Sequence, residues 1–161
     1  MEENNKKCLE IIEKLHLTPR IETHEPILDF ETAEKVDKEL NFTGHETKSL
    51  FLKGKSGKHY LFITLMEGRM DSKMIKDLVG EKVSLVSGEE MTQLTGMEPG
   101  CMTPFGLEEG LISAIVVDPK IYDQEKLILA FGTSTMSMEI KSTDLKTLLE
   151  YCYKTIIMLE S

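Results

Sequence analysis

Apolar and polar residues alternate along the chain in two rhythms, and the change from one to the other marks out its elements. Cys8-Leu9-Glu10-Ile11-Ile12-Glu13-Lys14-Leu15 has helical spacing and ends near His16, before Pro19. Arg20 to His24 alternates as a short strand stopped by Pro26. Asp29 or Thr32 caps a second predicted helix through Leu40, and residues 41–44 end it. Ser49–Leu52 and His59–Leu65 read as strands joined by the Gly-rich connection Lys53–Lys58. Asp71 or Ser72 starts a helix to Val79, stopped by Gly80; Val83–Val86 is a short strand; Ser87 caps a brief helix through Leu94. Leu111–Val117 is a continuous apolar run of the kind found in central strands. Residues 126–131 and 135–140 form a strand pair around Gly132, and Ser142 or Thr143 caps a last helix whose Leu145, Leu148, Leu149 and Cys152 share a face. Helices and strands alternate irregularly with at least one hairpin, which predicts an α+β fold: a mixed sheet with flanking helices.

Composition narrows this to one ordinary globular domain over residues 1–161, with 40% apolar and 29% charged residues. No run approaches the roughly 20 apolar residues of a membrane span, and the start, Met1-Glu2-Glu3-Asn4-Asn5-Lys6-Lys7, lacks a signal-peptide core, so a cytoplasmic protein is expected. Three widely spaced cysteines, Cys8, Cys101 and Cys152, offer neither a disulfide framework nor a zinc site. No metal or cofactor is expected. The net charge of −9 argues against coating nucleic acid, but it is unevenly spread. Residues 48–76 carry 7 Lys/Arg against only Glu67 and Asp71, a local balance of +5. Its members include Lys53, Lys55 and Lys58. This island is either a solvated surface or a patch that grips phosphates at one end of a nucleic acid.

Two segments resist explanation by packing. Lys48 sits in Gly44-His45-Glu46-Thr47-Lys48-Ser49-Leu50, a turn-like approach to a strand, where a lysine is ordinarily a solvated strand end. The stretch Thr95–Leu107 frames Cys101, Met102 and Thr103 between Gly100 and Pro104, so bare backbone can approach a ligand. Together they suggest a pocket for a small polar group, which His45 could face. The four histidines show no metal-ligand spacing, and Cys101 lacks a histidine partner in sequence for a cysteine hydrolase, a third reading.

Thr47-Lys48-Ser49-Leu50-Phe51-Leu52-Lys53, Leu94-Thr95-Gly96-Met97-Glu98-Pro99-Gly100 and Pro104-Phe105-Gly106-Leu107 resemble the YbaK/ProX family of aminoacyl-tRNA editing domains. That family is related to the insertion domain of bacterial prolyl-tRNA synthetase, and within it these segments are most similar to the free-standing PrdX/ProXp-ala branch. The likeness covers roughly residues 20–150, with order and spacing kept. It implies a barrel-like mixed sheet and a free-standing deacylase acting on the acceptor end of mischarged tRNA, Ala-tRNA for proline in the first instance, with prolyl-tRNA synthetase as a candidate partner. The family's lysine falls on Lys48, its GxxxP loop on Gly100–Pro104, and its late glycine on Gly132, beside Thr133. Lys48, flanked by Thr47 and Ser49, would place positive charge against the terminal adenosine or the ester carbonyl. Lys53, Lys55 and Lys58 would meet acceptor-stem phosphates. The terminal hydroxyl of the tRNA would help to activate water.

Two departures bear on specificity. Ser49 stands where the alanine-specific branch commonly has Asn, and Leu129–Ser134 replaces its His-Pro and following Asn. Serine, threonine, cysteine or another small amino acid therefore stays open as the substrate, since one methylene discriminates by only about 1–3 kcal/mol. The rival reading is a non-catalytic module of the same fold that binds aminoacyl-tRNA, a free amino acid or a protein.

Overall fold

The computed structural model describes residues 3–159. Helices α1 (Glu3–Lys14), α2 (Phe30–Glu39), α3 (Ser72–Val79), α4 (Gly88–Thr95) and α5 (Ser142–Cys152) surround strands β1 (Arg20–Thr23), β2 (His45–Gly54), β3 (His59–Leu65), β4 (Val83–Leu85), β5 (Ile112–Val117), β6 (Lys126–Ala130), β7 (Met136–Lys141) and β8 (Ile156–Met158). Among the described residues no helix is long and apolar enough to cross a membrane. The strands run in the order β1-β7-β6-β2-β3-β5-β8, with β4 pairing β2 off that path. Pairing is antiparallel except at β2–β6, β3–β5 and β5–β8, so the sheet is mixed as expected.

Helix starts follow their caps. Asp29 accepts the Thr32 N–H, Asp71 the N–H groups of Lys73 and Met74, and Ser87 that of Glu90, each satisfying donors that a first turn leaves orphaned. Gly80 closes α3 in the left-handed conformation. The final helix departs from expectation. Its N-cap is Lys141, without a side-chain cap, and Ser142 is already its first helical residue.

The sheet curls so that both of its halves feed one core. Phe51, Leu61, Ile63, Ile115 and Val117 from β2, β3 and β5 meet Leu127, Leu129, Met138 and Ile140 from β6 and β7. Cys8 and Ile12 of α1 and Leu145, Leu148 and Leu149 of α5 close this core. On the opposite face of β2, β3 and β5, Leu52, Tyr60, Phe62, Ala114 and Val116 pack with Ile75 of α3 in a second cluster.

β2 holds the two halves together and begins earlier than its apolar pattern indicates, at His45 rather than Ser49. Lys48 is therefore the fourth residue of a strand, not a residue at its mouth. The turn that delivers β2 is anchored by Glu139, 4% exposed, whose carboxylate accepts the N–H groups of Thr43 and Gly44 at 2.7 and 2.8 Å.

Candidate functional site

β2 changes partners partway along. On one edge it pairs β3 from Thr47 to Lys53. On the other it pairs β6 only at His45 and Glu46, and β4 only from Leu52 to Gly54. Between those contacts β6 and β4 diverge and leave a gap. The Phe51 carbonyl on this edge accepts the Val86 N–H, so strand alternation turns the N–H and C=O of Ser49 to the same edge. Neither the β6 register nor the β4 register reaches Ser49 on that edge.

A cavity of about 600 Å³ opens at the gap. Glu46–Leu50 of β2 form its floor, with Leu129 and Ala130 of β6 and Met136 and Ser137 of β7 beside them. His24 and the Ile27–Phe30 segment leading into α2 form one wall, and Glu98–Met102 with Thr133 and Ser134 form the other. That second wall is held by backbone: the Glu98 N–H donates to the Gly132 carbonyl, and the Gly132 N–H donates to the Cys101 carbonyl. Gly132 suits this clasp because its φ is +86° and an added Cβ would lie 3.2 Å from Asn5 Oδ1. Gly100 turns the loop at a φ of +80°.

The electrostatics of the cavity are divided. Lys48 makes no ion pair among the described residues. Glu46 sits two residues earlier on the same strand face, where burial, and then the nearby Asp37 carboxyl, push it up to about 9. It is consequently neutral at pH 7. His24 Nδ1 lies 2.7 Å from the Glu25 carbonyl, and its Nε2 lies 2.8 Å from Ser137 Oγ. Cys101 is a poor nucleophile, because burial, and then Glu98, push its thiol up to about 11.

Of the residues singled out in the sequence, Thr47, Lys48, Ser49, Gly100, Cys101, Met102 and Thr133 line this one cavity. Thr47 is tied down by donating its hydroxyl to the Ile128 carbonyl at 2.9 Å. His45, Thr103, Pro104 and Gly132 are not in the lining. His45 sits 2.9 Å from Glu67 instead. Thr103 and Pro104 are buried behind the loop, where the Pro104 carbonyl accepts the Tyr153 hydroxyl, and Gly132 acts through the clasp just described. Lys53 pairs with Glu90 at 3.1 Å, and Lys55 and Lys58 flank the hairpin turn at the far end of β2. Lys55 lies about 23 Å from Lys48 at the usual rise of a strand.

His24, Glu46 and Ser137 escaped the sequence reading, because sheet pairing alone brings them together. One signal was available: Ser137 and Glu139 are polar positions alternating with Met136, Met138 and Ile140. Such alternation marks a strand whose second face meets something other than hydrocarbon.

The family model for the aminoacyl-tRNA editing domain matches residues 28–148. The prolyl-tRNA editing protein ProX of Acetoanaerobium sticklandii is 26% identical over 98 residues, 60% of this chain. The match spans 58% of that protein's length. Among solved structures, a hypothetical protein superposes with a TM-score of 0.77 at 22% identity, covering 94% of this chain and 97% of its own. A protein described as a candidate trans-editing enzyme for prolyl tRNA synthetase superposes with a TM-score of 0.75 at 21% identity, covering 100% and 99%. At those identities the two structures speak for the fold.

Proposed function

The chain belongs to the aminoacyl-tRNA editing domain family, and on that premise we propose that it is a deacylase that cleaves the ester of mischarged tRNA in trans. The observation that carries this reading is Lys48, free of any ion pair among the described residues, beside Ser49 at the stretch of β2 that neither the β4 nor the β6 register reaches, on the floor of a cavity. An aminoacyl ester is already activated, so positioning and stabilisation of the developing negative charge supply most of what hydrolysis needs. Water adds to the ester carbonyl, and the negative charge that builds on its oxygen is met by the Lys48 ammonium and the Ser49 N–H. Collapse of the tetrahedral intermediate expels the ribose oxygen, with the neighbouring hydroxyl of the terminal ribose assisting the proton transfers. The loop Gly100–Met102 closes the opposite side.

The tRNA proposed first is that for proline, in keeping with the name of the ProX relative, and the amino acid proposed first is alanine, which the likeness to the alanine-specific branch suggests. Prolyl-tRNA synthetase is then the enzyme whose errors it corrects, in the cytoplasm where tRNA is charged. Lys53 pairs with Glu90, so Lys55 and Lys58 are the cations proposed to meet acceptor-stem phosphates. The rival, a binding module without turnover, draws on Ser49 and on Leu129–Ser134, where the alanine-specific pattern is replaced. Release of amino acid from tRNAs charged with Ala, Cys, Ser, Thr and Pro separates the two. Hydrolysis of one mischarged species names the substrate, whereas tRNA binding without any release sinks the deacylase.

A further inference from the structure

His24 and Ser137 form a polar pair that the ester chemistry above leaves unused. For a neutral imidazole the polarity of the pair is fixed from one end. The Glu25 carbonyl can only accept, so the neutral His24 ring carries its proton on Nδ1, at 2.7 Å. Nε2 is then an acceptor, and the Ser137 hydroxyl 2.8 Å away must donate to it. Ser137 Oγ therefore turns lone pairs, and no proton, toward the cavity that both residues line. An oxygen presented this way selects a hydrogen-bond donor on the ligand.

Register says where that donor lies relative to Lys48. Glu46 is opposite Ile128 in the parallel β2–β6 pair, and Ala130 is opposite Ser137 across β6–β7. Two residues on from Glu46 and Ile128, past the end of the β2–β6 ladder, come Lys48 and Ala130, so Lys48, Ala130 and Ser137 share a face of the sheet, with the gap between β2 and β6 separating Lys48 from the other two. Lys48 and Ser137 both line the cavity that this gap opens. Two carboxyl groups stand at the Ser137 end, Asp37 near His24 and Glu46 beside Asp37, and burial pushes both toward their neutral forms. A bound cation would favour the ionised form of either.

The geometry points to Ser137 Oγ, positioned by His24, as the acceptor for the α-ammonium of the amino acid, with the ester carbonyl directed toward Lys48. This rests on the deacylase reading for the identity of the ligand. It also defines a substrate class: esters of amino acids with a free amine are held, and peptidyl or other N-acylated esters, which lack the charge, are not.

The test compares two non-hydrolysable ligands, 3′-alanylamino-3′-deoxyadenosine and its propionyl counterpart, which lacks only the amine. Calorimetric titration of wild type should show the alanyl compound binding about tenfold more tightly, the size expected of one hydrogen bond to a charged group. Ser137→Ala should bring the ratio of the two dissociation constants close to one, and His24→Gln should lower it. A wild-type ratio near one, or a ratio that survives Ser137→Ala, overturns the assignment. Failure of the charged-tRNA panel would remove the reaction but leave this ratio to be read, so the two ideas fail separately.

Discussion

β2 is one strand in two surroundings. From Phe51 onward it is flanked on both edges, and its side chains alternate between two cores, Phe51 into the main one and Leu52 into the second. Past Glu46 one edge opens, and the five successive residues Glu46–Leu50 line a cavity. Backbone groups that hold the sheet together in the first half are left free for a ligand in the second. The lesson is that a paired sheet gains a binding floor when two neighbours of one strand diverge, without any loop being added. Stability and chemistry then sit within ten residues of each other, and substitutions should separate them.

The largest effect on the paired half is structural. Phe51 is 4% exposed and stacks on His59 with ring centroids 5.1 Å apart. Phe51→Ala should cost about 3–5 kcal/mol in denaturant unfolding. A cost below about 1 kcal/mol would mean that this half is not the anchor described. A smaller effect is expected at the hairpin beyond it. Replacing Lys55 and Lys58 together by Ala should raise KM for charged tRNA roughly three- to tenfold at low salt, with the gap closing as salt rises. An equal effect at all salt concentrations would contradict a phosphate contact.

On the open half, Glu46 gives a pH signature in stability. Its folded-state value is raised to about 9 from 4.5, so its proton is held more tightly in the folded than in the unfolded chain. That contribution is complete below about pH 4.5 and is lost as pH climbs toward 9. Glu46→Gln should therefore gain thermal stability over wild type progressively between pH 5 and pH 9, and a difference independent of pH would show the carboxyl to be ordinary. The smallest effect belongs to Cys101, which lines the cavity with a protonated thiol. Cys101→Ala should keep deacylation within about twofold by single-turnover assay, and a collapse would revive the cysteine hydrolase.

The paired half was also the legible half. Alternation and caps located β3, β5, α3 and α4 closely, because local chemistry decides where such elements begin. The start of β2 was missed because His45-Glu46-Thr47-Lys48 is polar on both faces, which is what a strand lining a cavity requires and what a pattern search reads as loop. β8 and the 3-10 turn Pro119–Asp123 were missed for being short. Within the site, Lys48 and the Gly100–Met102 loop were legible as motifs contiguous in sequence. His24, Glu46 and Ser137 were not, since β1–β7, β6–β7 and β2–β6 pairing is what brings them to one face.

The central claim is that the open half of β2 is catalytic through Lys48. Single-turnover deacylation by Lys48→Ala, on whichever mischarged tRNA the wild type hydrolyses, tests it most directly. The rate should fall about 10²–10³-fold, with the unfolding midpoint held near that of wild type, since Lys48 makes no ion pair among the described residues. A rate within a few fold of wild type would contradict the account and move the chemistry elsewhere in the cavity.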